Sequence, residues 1–395
     1  VPLKQKRPSN QLTRRQNTYN SKIHNNGGSL YLISVSVGTP PQTFDLTLDT
    51  GSSDLWVPGS KCAPSVCPFS KFNESQSTTF KESGQKMSIS YGTGNASGSY
   101  VFDTVTIAGI TVQQQQFGYV TQQKNILTEI NTLSGSSYTP NQPKLDGIFG
   151  LGYPFITSSY HNPFFFNLKQ QGQLAQNVFS IYLNNSFADS GEILFGGVDM
   201  SMYTGSMHYL PLAPTMRSSQ TGYGYWQVYG QGIGVVNSNN TMTKVVAFEA
   251  PPVFVFDTGT TMSYMPTKVV ESLLVEAVGK ENLAYDRLNN YFQINCEAYR
   301  TNVMIQLQLT PVRQTTQDPV LFHVPLRDLI FPLDSDLMSS ASVCMVGLIP
   351  SEGAIFIGQS ILRSAYVVYD ADQNRLGIAA AVGSGAFLSG PVNTG

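Results

Sequence analysis

Two short stretches of this 395-residue chain carry residue types that could do chemistry together. In the first, Phe44-Asp45-Leu46-Thr47-Leu48-Asp49-Thr50-Gly51-Ser52, apolar Phe44, Leu46 and Leu48 alternate with polar residues before the run ends in an acid, a hydroxyl and a glycine. Alternation of this kind reads as a strand, and the small residues after it force a tight turn with the Asp49 carboxylate at its tip. The second stretch, Val253-Phe254-Val255-Phe256-Asp257-Thr258-Gly259-Thr260-Thr261, repeats the arrangement. One Asp-Thr-Gly turn is weak evidence, because surface turns often have this composition. Here a downstream segment is matched as well. Leu145-Asp146-Gly147-Ile148-Phe149-Gly150 follows the first turn and Ala354-Ile355-Phe356-Ile357-Gly358 the second, each ending 101 positions after its acid (150 − 49 and 358 − 257). An acid turn and an apolar-Gly segment repeated at one offset mark an internal duplication.

Two carboxylates brought face to face could hydrolyse an amide, which needs a nucleophile made from water and an acid for the departing nitrogen. Like charges a few ångströms apart cannot both ionise, so such a pair keeps one proton over a wide acidic range. The ionised member takes a proton from a water between them, and the protonated member polarises the scissile carbonyl. The pair titrates as a unit, so neither role belongs permanently to Asp49 or to Asp257.

Further motifs carry a likeness: Tyr91-Gly92-Thr93-Gly94, Tyr225-Trp226-Gln227 and Leu362-Arg363-Ser364-Ala365-Tyr366. With the two acid turns, they make the chain resemble the pepsin-like aspartic proteases from Tyr31 to Ala380, and the shared-proton behaviour above is one that those enzymes themselves typify. In texture the chain is similar to the secreted, candidapepsin-like enzymes of yeasts and other fungi. The resemblance implies an all-β fold with few short helices, built as two β-barrel lobes with a cleft between them. It implies that Thr50 and Thr258 hydrogen-bond across the lobe junction, that Gly51 and Gly259 admit backbone N–H groups to the carboxylates, and that Ser52 and Thr260 set hydroxyls against their outer oxygens. Tyr91, Gly92 and Thr93 would form a flap over substrate, with Trp56 bonding the Tyr91 phenol. Leu145 and Ile148 would line the apolar subsite on one side of the scissile bond, and Tyr225 and Thr261 would face the other. Protein and peptide substrates, pepstatin-type inhibitors, a monomeric state and no cofactor follow from the same likeness. The rival reading is a pepsin-fold binding or inhibitor protein that has lost catalysis. Such relatives typically alter one Asp or a turn glycine, and both turns are intact here. Gln359 is a departure, standing where most relatives have Asp or Asn; it is expected to support the sheet beneath the turn.

Composition bounds the alternatives. The length suffices for two domains, each with its own core. Only 12% of residues are charged, and no apolar run approaches the ~18 residues of a membrane helix. The four histidines, His24, His161, His208 and His323, have no metal-ligand spacing, and no Gly-x-Ser-x-Gly elbow occurs. The net charge of −2 conceals an asymmetry: residues 1–44 hold six basic residues and no acid, so the remainder carries −8. No basic patch forms, which argues against nucleic acid.

Cys62, Cys67, Cys296 and Cys344 lack metal-binding spacing and read as two disulfides; four cysteines allow three pairings, and the resemblance implies Cys62–Cys67 and Cys296–Cys344. Sequons at Asn73, Asn95, Asn184 and Asn239 point with them to secretion. The chain starts at Val1 with no signal-like segment, so a signal peptide is expected to be already absent.

In chain order, 1–28 reads as a basic arm without a packed element and as an activation-segment remnant, with Lys6-Arg7 and Arg14-Arg15 as processing sites, although it is short for a complete prosegment. An N-terminal lobe is expected over 29–190, a connection over 191–206, a C-terminal lobe over 207–382 and a polar tail over 383–395. That tail has no terminal apolar stretch, against a lipid anchor. Residues 121–143 read as a polar surface loop. Helices are predicted after Asn162-Pro163, ending at Gly172, and over Thr267–Val278, ending at Gly279. Neutral Thr93, where many fungal relatives carry Asp, predicts cleavage beside large apolar residues rather than Lys.

Overall fold

In the computed structural model, which describes residues 18–26, 30–127, 144–184, 191–335 and 337–392, the two acid turns sit in matching frames. Strand Gln42–Asp49 runs parallel to Gly147–Gly150, with Asp49 opposite Gly150. Strand Val253–Phe256 runs parallel to Ile355–Ile357, with Phe256 opposite Ile357. After each turn the chain crosses back antiparallel to that same short strand, through Leu55–Pro58 in the first copy and Ser263–Met265 in the second. The glycine closing each apolar segment is dictated by this crossing. A Cβ on Gly150 would strike the backbone of Ser53 and Asp54, and one on Gly358 the carbonyls of Thr260 and Met262.

The molecule is mostly β and bilobal. A 13-stranded sheet holds the first acid strand and continues into Tyr203–Pro211, Ala365–Asp370 and Arg375–Ala381; a nine-stranded sheet holds the second acid strand. The buried faces read as alternating apolar residues, as half-buried strands require. Trp226, Phe179, Tyr369 and Tyr153 form one aromatic group, with Phe179 stacked on Tyr369 at 4.5 Å and Tyr153 4.7 Å from Trp226. Trp226 Nε1 donates to the Leu151 carbonyl at 2.9 Å, which ties the second half to the strand end behind Asp49.

Helices form at Phe164–Gln170 and Thr267–Val278, each with Pro just ahead, and at the short Gln359–Leu362. The disulfides are Cys62–Cys67 and Cys296–Cys344.

Three stretches differ from the sequence reading. Tyr19–Asn26, taken as part of an unpacked arm, is a strand between Gly191–Phe195 and Leu30–Val37. Its sequence is polar apart from fully buried Ile23, and ladder hydrogen bonds rather than apolar periodicity hold it. In the tail, Phe387–Ser389 adds a strand to Val320–Pro325, and the Phe387 ring stacks on His323 at 4.1 Å. Residues 121–124 are not loop but the end of strand Ile110–Lys124, paired up to Asn95. The basic pairs Lys6-Arg7 and Arg14-Arg15, residues 128–143 of the expected loop, 185–190 of the N-terminal lobe and 393–395 of the tail lie outside the described residues.

Candidate active site

Asp49 and Asp257 end their strands at the same point between the lobes, each 6% exposed. Their turns interlock reciprocally. Thr50 N–H donates to Thr258 Oγ1 at 3.1 Å, and Thr258 N–H to Thr50 Oγ1 at 3.0 Å. Each hydroxyl in turn donates to a carbonyl of the opposite strand: Thr50 Oγ1 to Phe256 at 2.8 Å, Thr258 Oγ1 to Leu48 at 2.7 Å. All four bonds are buried, so breaking one would leave polar groups without water to replace the partner.

Within each turn the carboxylate is held at both oxygens. Gly51 N–H donates to Asp49 Oδ1 and Gly259 N–H to Asp257 Oδ1, both at 2.8 Å. Ser52 Oγ donates to Asp49 Oδ2 and Thr260 Oγ1 to Asp257 Oδ2. A Cβ on Gly51 would occupy the position of the Asp257 carboxylate, and one on Gly259 that of Asp49. Glycine is thus required by the close approach of the opposite acid.

Burial, followed by the charge of Asp257, pushes Asp49 well above the usual carboxylate range. Burial raises Asp257 too, opposed by hydrogen bonds from Thr260, Gly259 and Asp49. A pair so placed holds one proton where an exposed aspartate holds none. This arrangement can deprotonate a water and donate a proton at adjacent positions.

A hairpin of Lys81–Ser90 and Asn95–Ile107 is closed by Tyr91 N–H donating to the Gly94 carbonyl at 2.7 Å, which leaves Gly92 and Thr93 exposed at its tip. Trp56 Nε1 donates to the Tyr91 hydroxyl at 2.8 Å. Burial and then the Asp49 charge raise the Tyr91 phenol. Leu145 and Ile148 pack in one apolar cluster with Trp56 and Tyr91. Burial, then the charges of Asp257 and Asp49, raise the Tyr225 phenol. Thr261 continues the second turn, its carbonyl accepting from Ser360 N–H at 3.0 Å. Among the sequons, Asn95 and Asn239 are exposed, while Asn73 and Asn184 are half-buried.

Sequence reasoning passed over several neighbours. Ile126 and Leu127 join the apolar cluster at Leu145, from the edge of a stretch whose polarity hid them. Asp54, 3% exposed, accepts from the Tyr100 hydroxyl at 2.6 Å and from Ser158 N–H at 3.2 Å, with His161 Nε2 3.7 Å away. This group braces the strand leading to Trp56; only the acid following the turn's two serines could have signalled it. Gln359 Nε2 donates to the Thr258 carbonyl at 2.6 Å, directly beneath the second turn. Among the described residues, no helix is long and apolar enough to cross a membrane.

Paired Asp-Thr-Gly turns at the junction of two β lobes define an aspartic peptidase class, and comparison with known proteins agrees. Residues 30–381 match the family model for eukaryotic aspartyl proteases. The chain is 32% identical over 351 residues to pepsin A of Rhinolophus ferrumequinum, covering 88% of this chain and 80% of the relative. It is 32% identical to gastricsin of Cavia porcellus over 362 residues, 89% of this chain and 80% of that one. It is 33% identical to mucorpepsin of Rhizomucor miehei over 363 residues, 88% and 77% of the two chains. The chain belongs to the eukaryotic aspartyl protease family and is an aspartic endopeptidase.

Proposed function

We propose that the protein is a secreted acid endopeptidase in which Asp49 and Asp257 share a proton and activate the water that attacks the scissile carbonyl. The observation that carries this reading is the reciprocal placement of each carboxylate over the glycine of the opposite turn. In the reaction, the ionised carboxylate removes a proton from the water as its oxygen bonds to the carbonyl carbon. The protonated partner donates to the carbonyl oxygen. The pair then passes its proton to the amide nitrogen and takes one from a hydroxyl of the tetrahedral intermediate as the C–N bond breaks, yielding an acid and an amine and returning the pair to one proton. Gly51 and Gly259 N–H, with Ser52 and Thr260, stabilise the ionised state; Thr50 and Thr258 hold the turns in register.

Subsite chemistry follows from the cluster around Ile148. Tyr91, Leu145 and Ile148, with Ile126 and Leu127, offer an apolar wall beside the first acid. A substrate Lys would lose hydration there without gaining a partner at neutral Thr93, whereas a Phe or Leu would gain roughly 1.5–3 kcal/mol by burial. Tyr225 and Thr261 bound the opposite side. The two disulfides and four sequons support secretion, and motif texture supports a place near the yeast secreted enzymes within the family. We take the lobes to divide at 191–206 and the enzyme to act as a monomer. Residues 1–15 are read as activation segment; cleavage after Arg15 would leave the strand that begins at Tyr19 whole.

The test is digestion of a denatured protein at acid pH with increasing pepstatin. Stoichiometric loss of activity is expected. Activity untouched by a large excess of inhibitor, or confined to neutral pH, would overturn the reading.

A further inference from the structure

Away from the acid turns and the flap, a cavity of about 510 Å³ lies beside Arg363. That size falls within the roughly 300–1,000 Å³ of small-molecule sites. Arg363 follows the short helix behind the second acid turn and is 4% exposed. Its guanidinium stacks on Phe331, with Cζ 4.4 Å from the ring centroid. Nη2 donates to the Asp328 carbonyl at 2.8 Å, which is the one hydrogen bond of this guanidinium among the described residues, while Nε is buried without a partner. A guanidinium offers five N–H donors, and a buried charge left so incompletely bonded is unfavourable until an anion completes it.

A second guanidinium lines the same cavity. The Arg327 side chain is 41% exposed, with Nε 3.8 Å from Asp328 Oδ1; Asp328 Oδ2 accepts from Ser364 Oγ at 2.8 Å. Among the described residues lining the cavity, two positive groups therefore accompany one carboxylate, an excess of one positive charge. Ile330, Phe331, Pro332 and Met338 supply the apolar part of the wall.

We infer that this cavity binds a small carboxylate with an apolar body, the anion bridging Arg363 and Arg327 and the body resting on Phe331 and Met338. A monoanion matches the excess charge, whereas a phosphate dianion would be left repelling Asp328. Planar guanidinium groups suit the two oxygens of a carboxylate. Two sources share this chemistry: a free aryl or alkyl carboxylic acid, and the new C-terminus of a peptide cut after a large apolar residue. The second source rests on the specificity proposed above.

The test is calorimetric titration of the whole protein, with and without saturating pepstatin, about one pH unit above the ligand pKa. The probes are 3-phenylpropionate, N-acetylphenylalanine and 3-phenylpropanamide. Both acids should bind at one site, unchanged by pepstatin, and the amide should not bind. Tighter binding of 3-phenylpropionate would assign the site to free acids, and tighter binding of N-acetylphenylalanine to peptide ends. Arg327→Gln should weaken either acid at least about tenfold, as expected for loss of a charged hydrogen bond. Arg363→Met should abolish binding; should that variant misfold, half-exposed Arg327 keeps the test readable. No saturable binding, equal binding of the amide, displacement by pepstatin, or full affinity in Arg327→Gln would overturn the inference.

Discussion

Thr93 sits exposed at the tip of its hairpin, close in sequence to Tyr91, whose phenol is raised by burial and then by the Asp49 charge. An acid at that position would supply the partner that a substrate Lys lacks. We predict that Thr93→Asp increases cleavage beside Lys by about tenfold, the effect of one exposed-to-half-buried charge pair of ~1.4 kcal/mol, and leaves cleavage beside Phe within about twofold. Mapping cut sites in a peptide mixture measures both; frequent cuts beside Lys by the unmodified enzyme would defeat the subsite argument. At this scale the acids, their threonines and their glycines were legible, because a duplicated motif leaves few alternatives for its residues. The Asp54–Tyr100–His161 group was not. Its members lie 46 and 107 positions apart (100 − 54 and 161 − 54), and only the folded sheet brings them within contact.

Among the elements, the crossed threonines join two strands more than 200 positions apart in sequence. Thr50→Val keeps the shape but removes the hydroxyl, leaving the Phe256 carbonyl and Thr258 N–H unpaired in a buried junction. At about 1–3 kcal/mol for each orphaned group, Thr50→Val and Thr258→Val should each destabilise by roughly 2–5 kcal/mol, read as a lowered denaturation midpoint in urea. A loss below 0.5 kcal/mol would mean the junction is not held this way. Both longer helices were legible because Pro and Gly punctuate them: Gly279 follows Thr267–Val278 with φ 82°. Strand Tyr19–Asn26 escaped notice because its partner Gly191–Phe195 is remote in sequence and its one fully buried apolar side chain gives no period. Phe387–Ser389 escaped because three residues are too few for alternation to show.

For the molecule as a whole, buried carboxylates tie stability to acid. Asp49, Asp257, Asp45 and Asp146 are all raised, with burial the largest cause in each. Above the ordinary aspartate value of 3.8 the folded state thus holds protons that the unfolded chain has released. Unfolding then releases protons, so stability is full below that pH and is lost as pH rises through the raised folded values. His161 and His323 act oppositely. Burial lowers both, so the folded state takes up fewer protons than the unfolded chain below 6.5 and loses stability as pH falls through the lowered values. With four carboxylates against two histidines, Tm should be lower at neutral pH than at pH 5. Asp49→Asn should flatten that fall by removing one member of the coupled, raised pair; an unchanged slope would show that the dyad does not carry it.

The most direct measurement of the central claim is the pH profile of kcat/KM for the enzyme, Asp49→Asn and Asp257→Asn on one peptide with large apolar residues flanking the scissile bond. The shared-proton account predicts a bell-shaped acid profile for the unmodified enzyme, and folded variants that each lose about a thousandfold or more at every pH, since the one remaining carboxyl group cannot be base and acid at once. Near-full turnover in either variant, or a profile that rises to neutrality, would contradict it.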